Sequence, residues 1–188
     1  MATRTFLALD LDEAILDRLL AVQRKLDAEG GSVRWVERAN LHVTLNFLGD
    51  VSDELMVEVC ELSAAAAGEV EPFEFDVRGL ICTPPRGPLR MLWGGIADPT
   101  GRLAKLQAGL SDALAGLGLK EEDRAYRPHI TLARIKSPKG SDRLRAAAAR
   151  LAGEDFGVQH AEQVVAYSSV LTEDGPIYTR VARFGLGA

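Results

Sequence analysis

Residues 41–47 read Leu-His-Val-Thr-Leu-Asn-Phe, so apolar and polar side chains alternate along this stretch. Successive side chains of a β-strand point to opposite faces, so the alternation predicts a strand with one face in a core and the other turned away from it. The predicted core face holds the apolar residues Leu41, Val43, Leu45 and Phe47. The opposite face holds His42, Thr44 and Asn46. The strand is therefore expected to present an imidazole and a hydroxyl on the same side.

The tripeptide His-x-Thr returns 87 residues later, at His129 and Thr131. Ile130 and Leu132 follow the same alternation and are predicted to face a core. The chain has three histidines, so this motif accounts for two of them. The third, His160, has no threonine two positions later and is predicted to face solvent outside the site.

The spacing of 87 residues also relates two predicted strands that precede helices. Residues 6–9 read Phe-Leu-Ala-Leu, and residues 93–96 read Trp-Gly-Gly-Ile. After each histidine strand, a polar turn leads into another predicted helix. The shared order and spacing predict an internal duplication within a single domain spanning residues 1–188. They also predict two pseudo-symmetric lobes whose His-x-Thr strands face each other across a central cleft.

Periodicity and turn residues predict alternating strands and helices along the whole chain. Predicted strands cover residues 5–9, 33–36, 41–48, 73–77, 89–96, 130–135, 164–171 and 177–184. Predicted helices cover residues 12–28, 52–67, 98–117 and 142–151, with Ser52 as the cap of the second. The last two strands are expected to form a hairpin across residues 173–175.

The composition indicates one compact protein that is not a general nucleic-acid binder. The chain has 188 residues, of which 47% are hydrophobic and 26% charged, with a net charge of −5. An acidic chain is not suited to bind long nucleic acid non-specifically by neutralising its phosphates, so binding of an anionic substrate requires a local basic patch. Cys60 and Cys82 lack metal-ligand or redox-motif spacing and are expected to be reduced thiols. With no signal peptide and no membrane-spanning stretch, the chain is expected to be cytoplasmic and to bind no membrane.

Two imidazoles and two hydroxyls around one pocket suit hydrolysis of a phosphodiester. A histidine titrates near neutral pH, so a pair can supply one neutral base and one cationic acid without a metal. The base takes a proton from water, and the acid gives a proton to the departing oxygen. The hydroxyls of Thr44 and Thr131 can donate hydrogen bonds to the phosphate oxygens. The sequence thus predicts that His42 and His129 are catalytic and that both threonines bind phosphate.

On these motifs the chain resembles the two-histidine (2H) phosphoesterase superfamily. More closely, it resembles the bacterial and archaeal RNA 2′,3′-cyclic phosphodiesterases, historically called 2′-5′ RNA ligases. The matching segments are residues 33–36 (VRWV), 40–49 (NLHVTLNFLG), 90–95 (RMLWGG) and 127–134 (RPHITLAR). The resemblance runs from about residue 4 to residue 184. One departure is Asn46, where the family often has lysine, and this change is expected to lower the positive charge of the cleft.

The resemblance implies an α+β fold with two lobes, each an antiparallel sheet flanked by helices, around a V-shaped cleft. It implies hydrolysis of the terminal 2′,3′-cyclic phosphate of RNA to a 2′-phosphate, with no metal and no cofactor. His42 would be the proton donor to the leaving 3′ oxygen, and His129 the proton acceptor that activates water. Arg134 would hold phosphate, although strict alternation turns it away from His129, so a bulge or a strand end is required. Nothing demands a dimer, and the chain is expected to act as a monomer with no obligate protein partner.

Three other functions use the same features. The same chemistry could act on a small nucleotide, such as a cyclic nucleotide or an ADP-ribose cyclic phosphate. Ligation of a 2′-phosphate to a 5′-hydroxyl is the reverse reaction and needs the same residues. A metal hydrolase is disfavoured because two histidines without clustered carboxylates make a poor ligand set.

Several residues beyond the two motifs are weaker candidates for contacts with an anion or a base. Arg34 and Arg127 could bind phosphate. A basic run could steer an anion, or could simply be solvated, and it comprises Arg134, Lys136, Lys139, Arg143 and Arg145. Phe47 and Trp35 could stack on a base, although Phe47 is predicted to pack in the core.

Overall fold

A computed structural model describes residues 2–119, 125–137, 140–173 and 175–187 of the chain. Nine strands lie within these ranges, namely β1 (Ala2–Leu9), β2 (Val33–Trp35), β3 (Val43–Ser52), β4 (Phe73–Thr83), β5 (Met91–Ala97), β6 (His129–Ile135), β7 (Asp155–Ala161), β8 (Gln163–Thr172) and β9 (Gly175–Gly185). Four α-helices lie within them, namely α1 (Glu13–Asp27), α2 (Asp53–Gly68), α3 (Arg102–Leu114) and α4 (Ser141–Arg150). Short 3-10 turns cover Arg38–Asn40 and Ala115–Leu117.

The strands form one antiparallel sheet in the order β7-β4-β5-β6-β3-β1-β8-β9, with β2 paired to β6. The centre of the sheet is the contact between β6 and β3, which meet at the single residue pair Val43 and Ile130. This seam separates a His42 lobe (β3, β1, β8 and β9) from a His129 lobe (β6, β5, β4, β7 and β2). The predicted α+β class with two lobes is confirmed.

Each lobe is built from both halves of the sequence. Strand β4 comes from the first half but pairs with β5 in the His129 lobe, and β8 comes from the second half but pairs with β1 in the His42 lobe. Each lobe also carries one helix from each half of the sequence. Helices α2 and α3 pack on the His42 lobe, whereas α1 and α4 pack on the His129 lobe. The cleft therefore lies between two units that neither half of the chain could form alone.

Helix periodicity explains how the helices are anchored. The predicted apolar positions of α1 are at most 2% exposed, and they are Ile15, Leu19, Val22 and Leu26. Helix α2 begins as predicted, because the Ser52 hydroxyl accepts a hydrogen bond from the Leu55 amide at 3.2 Å. The helices thus cover one face of the sheet and leave the His-x-Thr face open.

The strands depart most from the prediction at β3, β4 and β7. Strand β3 was expected to stop near Gly49 but continues through Ser52, because Gly49 adopts a φ of 75° within a pairing to β1. Strand β4 extends past the predicted end at residue 77 as far as Thr83. Strand β7 was not predicted, because this edge strand carries polar residues and an exposed Val158 and contains Gly157 at a φ of 108°.

The predicted closing hairpin is present, with Thr172 paired to Gly175, although Asp174 in its turn lies outside the described residues. No helix in the described part of the chain is both long enough and apolar enough to cross a bilayer. Cys60 and Cys82 are free thiols, as expected.

Candidate active site

The two His-x-Thr motifs meet at the seam of the sheet. Val43 and Ile130 face each other there and are fully buried on the helix side. Their neighbours in sequence therefore point to the opposite face. Continuing the antiparallel register sets His42 opposite Thr131, and Thr44 opposite His129. All four side chains are half-buried, so two imidazoles and two hydroxyls lie together on the cleft face of the seam.

A backbone carbonyl fixes the tautomer of each imidazole. His42 Nδ1 lies 2.8 Å from the Asn40 carbonyl oxygen, and His129 Nδ1 lies 2.8 Å from the Arg127 carbonyl oxygen. Since a carbonyl can only accept, each Nδ1 carries hydrogen and each neutral ring keeps its lone pair on Nε2. Nε2 is thus the nitrogen on which each neutral ring can accept a proton.

Thr44 lies next to the reactive nitrogen of His42. Its hydroxyl oxygen is 2.9 Å from His42 Nε2. The hydroxyl donates to the neutral ring and accepts from the protonated ring, so it holds the imidazole in place in both states. The same segment of β3 is held from the other lobe by Tyr126, whose hydroxyl donates to the Thr44 carbonyl at 3.1 Å.

An aromatic ring from the neighbouring strand supports each imidazole. Trp93 stacks on His129 with ring centroids 3.8 Å apart and an angle of 22° between the rings. Phe6 lies against His42, with centroids 5.0 Å apart and an angle of 32°. Phe6 and Trp93 are 87 residues apart, like the two histidines. The spacing that relates the two histidines therefore also relates the two rings that support them.

The two imidazoles sit in different electrostatic surroundings. Burial lowers the pKa of His42 from its usual 6.5, the hydrogen bond to Asn40 and the Asp10 carboxylate oppose this shift, and the charge of His129 adds to it. Burial also lowers the pKa of His129, and the nearby charges of Arg127 and Arg134 lower it further against the effect of the Arg127 carbonyl. A carboxylate thus favours the cation at His42, whereas two guanidinium groups disfavour it at His129.

A bulge brings Arg134 to the cleft. Leu92 pairs with Ala133 while Trp93 pairs with Thr131, so Leu132 is an extra residue in β6. Leu132 and Ala133 are both fully buried, and the alternation restarts with Arg134 on the cleft face. Its charge acts on His129. Burial raises the pKa of Tyr178, whose ring packs edge-on against His42 with centroids 5.5 Å apart, and the charge of Arg134 opposes that rise.

An equivalent bulge in β3 corrects two predictions. Leu7 pairs with Asn46 while Ala8 pairs with Thr44, so Leu45 is the extra residue. Phe47, predicted to lie in the core, is 51% exposed on the cleft side, with its ring 5.9 Å from that of Phe6. Asn46, predicted to face the cleft, is 9% exposed on the helix side and donates to the Ser111 hydroxyl at 2.7 Å. The expected effect of Asn46 on the charge of the cleft is therefore wrong.

A polar network beside His42 was missed from the sequence. The Tyr167 hydroxyl donates to the Asp10 carboxylate, and Arg180 donates to the same carboxylate at 3.1 Å and to the Tyr167 hydroxyl at 3.1 Å. Burial, together with the Asp10 hydrogen bond, raises the pKa of Tyr167 to about 12, so this phenol stays protonated. These residues are 157 and 170 positions from Asp10. No local motif links them.

Several weaker candidates have structural partners instead. Arg34 donates to the Glu173 carbonyl at 3.0 Å, and the Trp35 indole donates to Asp27 at 2.7 Å. Arg145 donates to the carbonyls of Pro84, Pro85 and Gly87. Arg127 and Lys136 are exposed, as is Arg143, and Lys139 lies outside the described residues.

The third histidine lies on the surface, as predicted. His160 Nδ1 is 3.1 Å from the Asp12 carboxylate, and its Nε2 is 3.0 Å from that of Glu74. Among the residues that the structure describes, no group of three or more His, Cys, Asp or Glu side chains is placed to hold a metal ion.

Comparisons with known proteins point to one family. A model of LigT-like phosphoesterases matches the chain twice, over residues 9–93 and 95–178. The chain is 34% identical over 186 residues to the RNA 2′,3′-cyclic phosphodiesterase of Methanothermobacter thermautotrophicus, and the match covers 99% of this chain and 100% of that protein. The fold is similar to that of TT0787 from Thermus thermophilus, with a TM-score of 0.83, 28% identity and 97% of both chains covered. It is also similar to Escherichia coli LigT complexed with 3′-AMP, with a TM-score of 0.77, 25% identity and 100% of both chains covered.

Proposed function

The chain belongs to the LigT-like phosphoesterase family, and from that membership we propose that it hydrolyses the terminal 2′,3′-cyclic phosphate of RNA to a 2′-phosphate. The observation that carries the proposal is the meeting of His42 and His129 at the Val43–Ile130 seam. Each ring has its Nδ1 bonded to a backbone carbonyl, and the Nε2 of His42 is bonded to the Thr44 hydroxyl, which can either donate or accept. Two such rings on opposite sides of one phosphorus atom provide a base and an acid for in-line displacement.

In the proposed reaction, His129 Nε2 accepts a proton from a water molecule as its oxygen bonds to phosphorus. The bond from phosphorus to the 3′ oxygen breaks, and His42 Nε2–H gives its proton to that oxygen. The products are a 2′-phosphomonoester and a 3′-hydroxyl. Each assisted proton transfer contributes about 10²–10⁴-fold to the rate. No step requires a metal or a cofactor.

The surroundings of the two rings support this assignment of acid and base. The Asp10 carboxylate favours the cationic form of His42, which is the form a proton donor needs. The positive charges of Arg127 and Arg134 favour the neutral form of His129, which is the form a proton acceptor needs. The pseudo-symmetric motif does not say which histidine is the acid, whereas the surrounding charges favour His42 as the acid and His129 as the base.

The phosphate would be held by Thr44, Thr131 and Arg134. The two hydroxyls flank the seam and can donate to the non-bridging oxygens, where negative charge grows in the transition state. The Arg134 guanidinium adds a full positive charge from the His129 side. This arrangement supplies a local cationic site in a chain whose net charge is −5.

We also propose that the single domain arose by internal duplication and that it acts as a monomer in the cytoplasm. The family model matches each half in turn, and the sheet order is symmetric about the seam. Every group in the proposed mechanism comes from one chain, which supports a monomer. The free thiols of Cys60 and Cys82 support a reducing compartment.

The decisive experiment follows a short RNA with a 2′,3′-cyclic phosphate end by ³¹P NMR. We expect the wild-type protein to yield the 2′-phosphate in the presence of EDTA, and His42→Ala and His129→Ala to lose about 10²–10⁴-fold in rate. His160→Ala is the matched control and should keep the wild-type rate. Near-normal turnover by either motif variant would exclude the two-imidazole mechanism. A strong preference for a free nucleoside 2′,3′-cyclic phosphate over the RNA would favour the small-nucleotide alternative.

A further inference from the structure

The seam between the lobes is too short to fix the spacing of the two imidazoles by itself. Among the residues that the structure describes, β3 and β6 are paired at one position, Val43 with Ile130. Two strands joined at one position can turn about it without breaking another ladder bond. Pro128, two residues before Ile130, has no amide hydrogen and cannot donate to β3. Contacts outside the ladder must therefore set the angle between the lobes, and with it the distance from His42 to His129.

The hydroxyl of Tyr126 makes such a contact beside the paired position. It donates to the carbonyl of Thr44 at 3.1 Å, and Thr44 follows Val43 in β3. Burial raises the pKa of Tyr126, and the Asp98 carboxylate raises it further, so the phenol keeps its hydrogen and acts as a donor. The bond attaches the segment before β6 to β3 at a second point. With two attachments the strands can no longer turn freely about the first.

Both ends of this bond lie next to groups that orient an imidazole. On one side, Tyr126 directly precedes Arg127, whose carbonyl oxygen is 2.8 Å from His129 Nδ1. On the other side, the Thr44 hydroxyl is 2.9 Å from His42 Nε2. One hydrogen bond therefore joins the backbone segment that orients His129 to the residue that orients His42.

The pseudo-symmetry of the molecule does not repeat this bond. The residue 87 positions before Tyr126 is Ala39, which has no polar side chain. The equivalent position on the other side of the seam therefore cannot supply a matching side-chain bond. Loss of the Tyr126 hydroxyl would leave the angle between the strands without this support on either side.

We propose that Tyr126 is a positioning residue that holds the two lobes at the angle at which both imidazoles reach the same phosphorus atom. It acts through the backbone of Arg127 and Thr44 and not on the substrate itself. This inference rests on the proposed function, because it assumes that His42 and His129 act together on one phosphodiester.

The test is Tyr126→Phe, which removes the hydroxyl and keeps the ring. On a short RNA with a 2′,3′-cyclic end, we expect kcat to fall about tenfold or more with KM changed by less than about twofold, because a misplacement of about 1 Å can cost about 10²-fold in rate. Tyr126→4-aminophenylalanine keeps a donor at the same place on the ring and should restore most of kcat. Rates are measured at a temperature at which near-UV circular dichroism shows every variant to be folded.

The matched control is Ser111→Ala. The Ser111 hydroxyl accepts from Asn46 at 2.7 Å, so this bond also supports β3, but it comes from α3 within the His42 lobe. We expect Ser111→Ala to keep the wild-type kcat, whatever its effect on Tm.

The outcomes separate a positioning role from its alternatives. A lower Tm with unchanged kcat in Tyr126→Phe would show that the bond only stabilises the fold, and would overturn the proposal. A rise in KM alone, or equal losses of kcat in Tyr126→Phe and Ser111→Ala, would overturn it as well. If the wild-type protein does not cleave the RNA, the proposed function itself fails, and the inference fails with it.

Discussion

At the scale of single residues, two contacts and burial set the orientation and the pKa of each imidazole at the seam. A carbonyl two residues earlier fixes Nδ1, an aromatic ring from the next strand covers one ring face, and burial lowers the pKa. The contacts of His42 and His129 are equivalent in kind but not in charge. The difference comes from Asp10 on one side and from two arginines on the other.

The role of Asp10 can be tested through the pH dependence of kcat/KM. We expect a bell-shaped profile whose alkaline limb reports the proton donor, His42. Asp10→Asn removes the carboxylate that raises the pKa of His42, so the alkaline limb should move to lower pH. Asp12→Asn, two residues away and paired with His160, should leave that limb in place. An alkaline limb that does not move in Asp10→Asn would show that Asp10 does not tune the donor.

At the scale of secondary-structure elements, bulges decide what reaches the cleft. Period-two alternation correctly placed both histidines and both threonines on the cleft face, because these residues come before the extra residue in each strand. It failed for Asn46 and Phe47, which come after Leu45. A bulge is set by pairing with a neighbouring strand and leaves no local mark in the sequence. The need for a bulge before Arg134 could be inferred only because the family resemblance required that residue at the site.

Distance along the chain explains the other features that the sequence did not predict. Strand β7 reads as polar, and it forms because β4, which is remote from it in the sequence, pairs with it. The network of Asp10, Tyr167 and Arg180 likewise depends on the neighbouring positions of β1, β8 and β9. Helix and strand positions near the motifs, by contrast, follow from local patterns and were predicted to within a few residues.

Two adjacent glycines in β5 offer a test of packing within an element. A Cβ at Gly95 would lie 2.4 Å from the Arg78 carbonyl oxygen, which is backbone and cannot turn away. A Cβ at Gly94 would meet Ile130 and Leu19 at 3.6 Å, an ordinary contact. We expect Gly95→Ala to lower the free energy of unfolding by about 1–3 kcal/mol and Gly94→Ala to cost much less. Urea unfolding measures both, and equal midpoints for the two variants would contradict the close approach of β4 to β5.

At the scale of the whole molecule, the β8–β9 hairpin reaches across the seam between the lobes. Arg34 in β2 of the His129 lobe donates to the Glu173 carbonyl near the hairpin tip. The Asn40 side chain donates to the Pro176 carbonyl at 3.0 Å, and the Asn40 carbonyl accepts from His42 Nδ1. Asn40 thus joins the hairpin to the proposed proton donor by hydrogen bonds, in addition to the direct packing of Tyr178 on His42.

The contribution of this connection can be measured with a pair of variants. Asn40→Ala loses the bond to the hairpin but keeps the carbonyl, so His42 becomes less firmly oriented. We expect kcat to fall about tenfold with KM nearly unchanged, because small displacements of a reacting group have large costs. Arg34→Ala loses a bond to the same hairpin without touching His42 and should keep kcat. Equal losses of kcat in both variants would mean that docking of the hairpin, and not Asn40, orients the ring.

The exchange of strands between the lobes governs when the protein can fold during its synthesis. The His42 lobe needs β8 and β9, and the His129 lobe needs β7 at its edge, and all three lie after residue 154. Phe6 in β1 is synthesised long before its pairing partner Tyr167. Strand pairings between residues so distant in sequence form slowly, because the chain loses the entropy of closing a long loop before the new contacts stabilise it. The nascent chain therefore carries both histidine strands for some time before the strands of either lobe are complete.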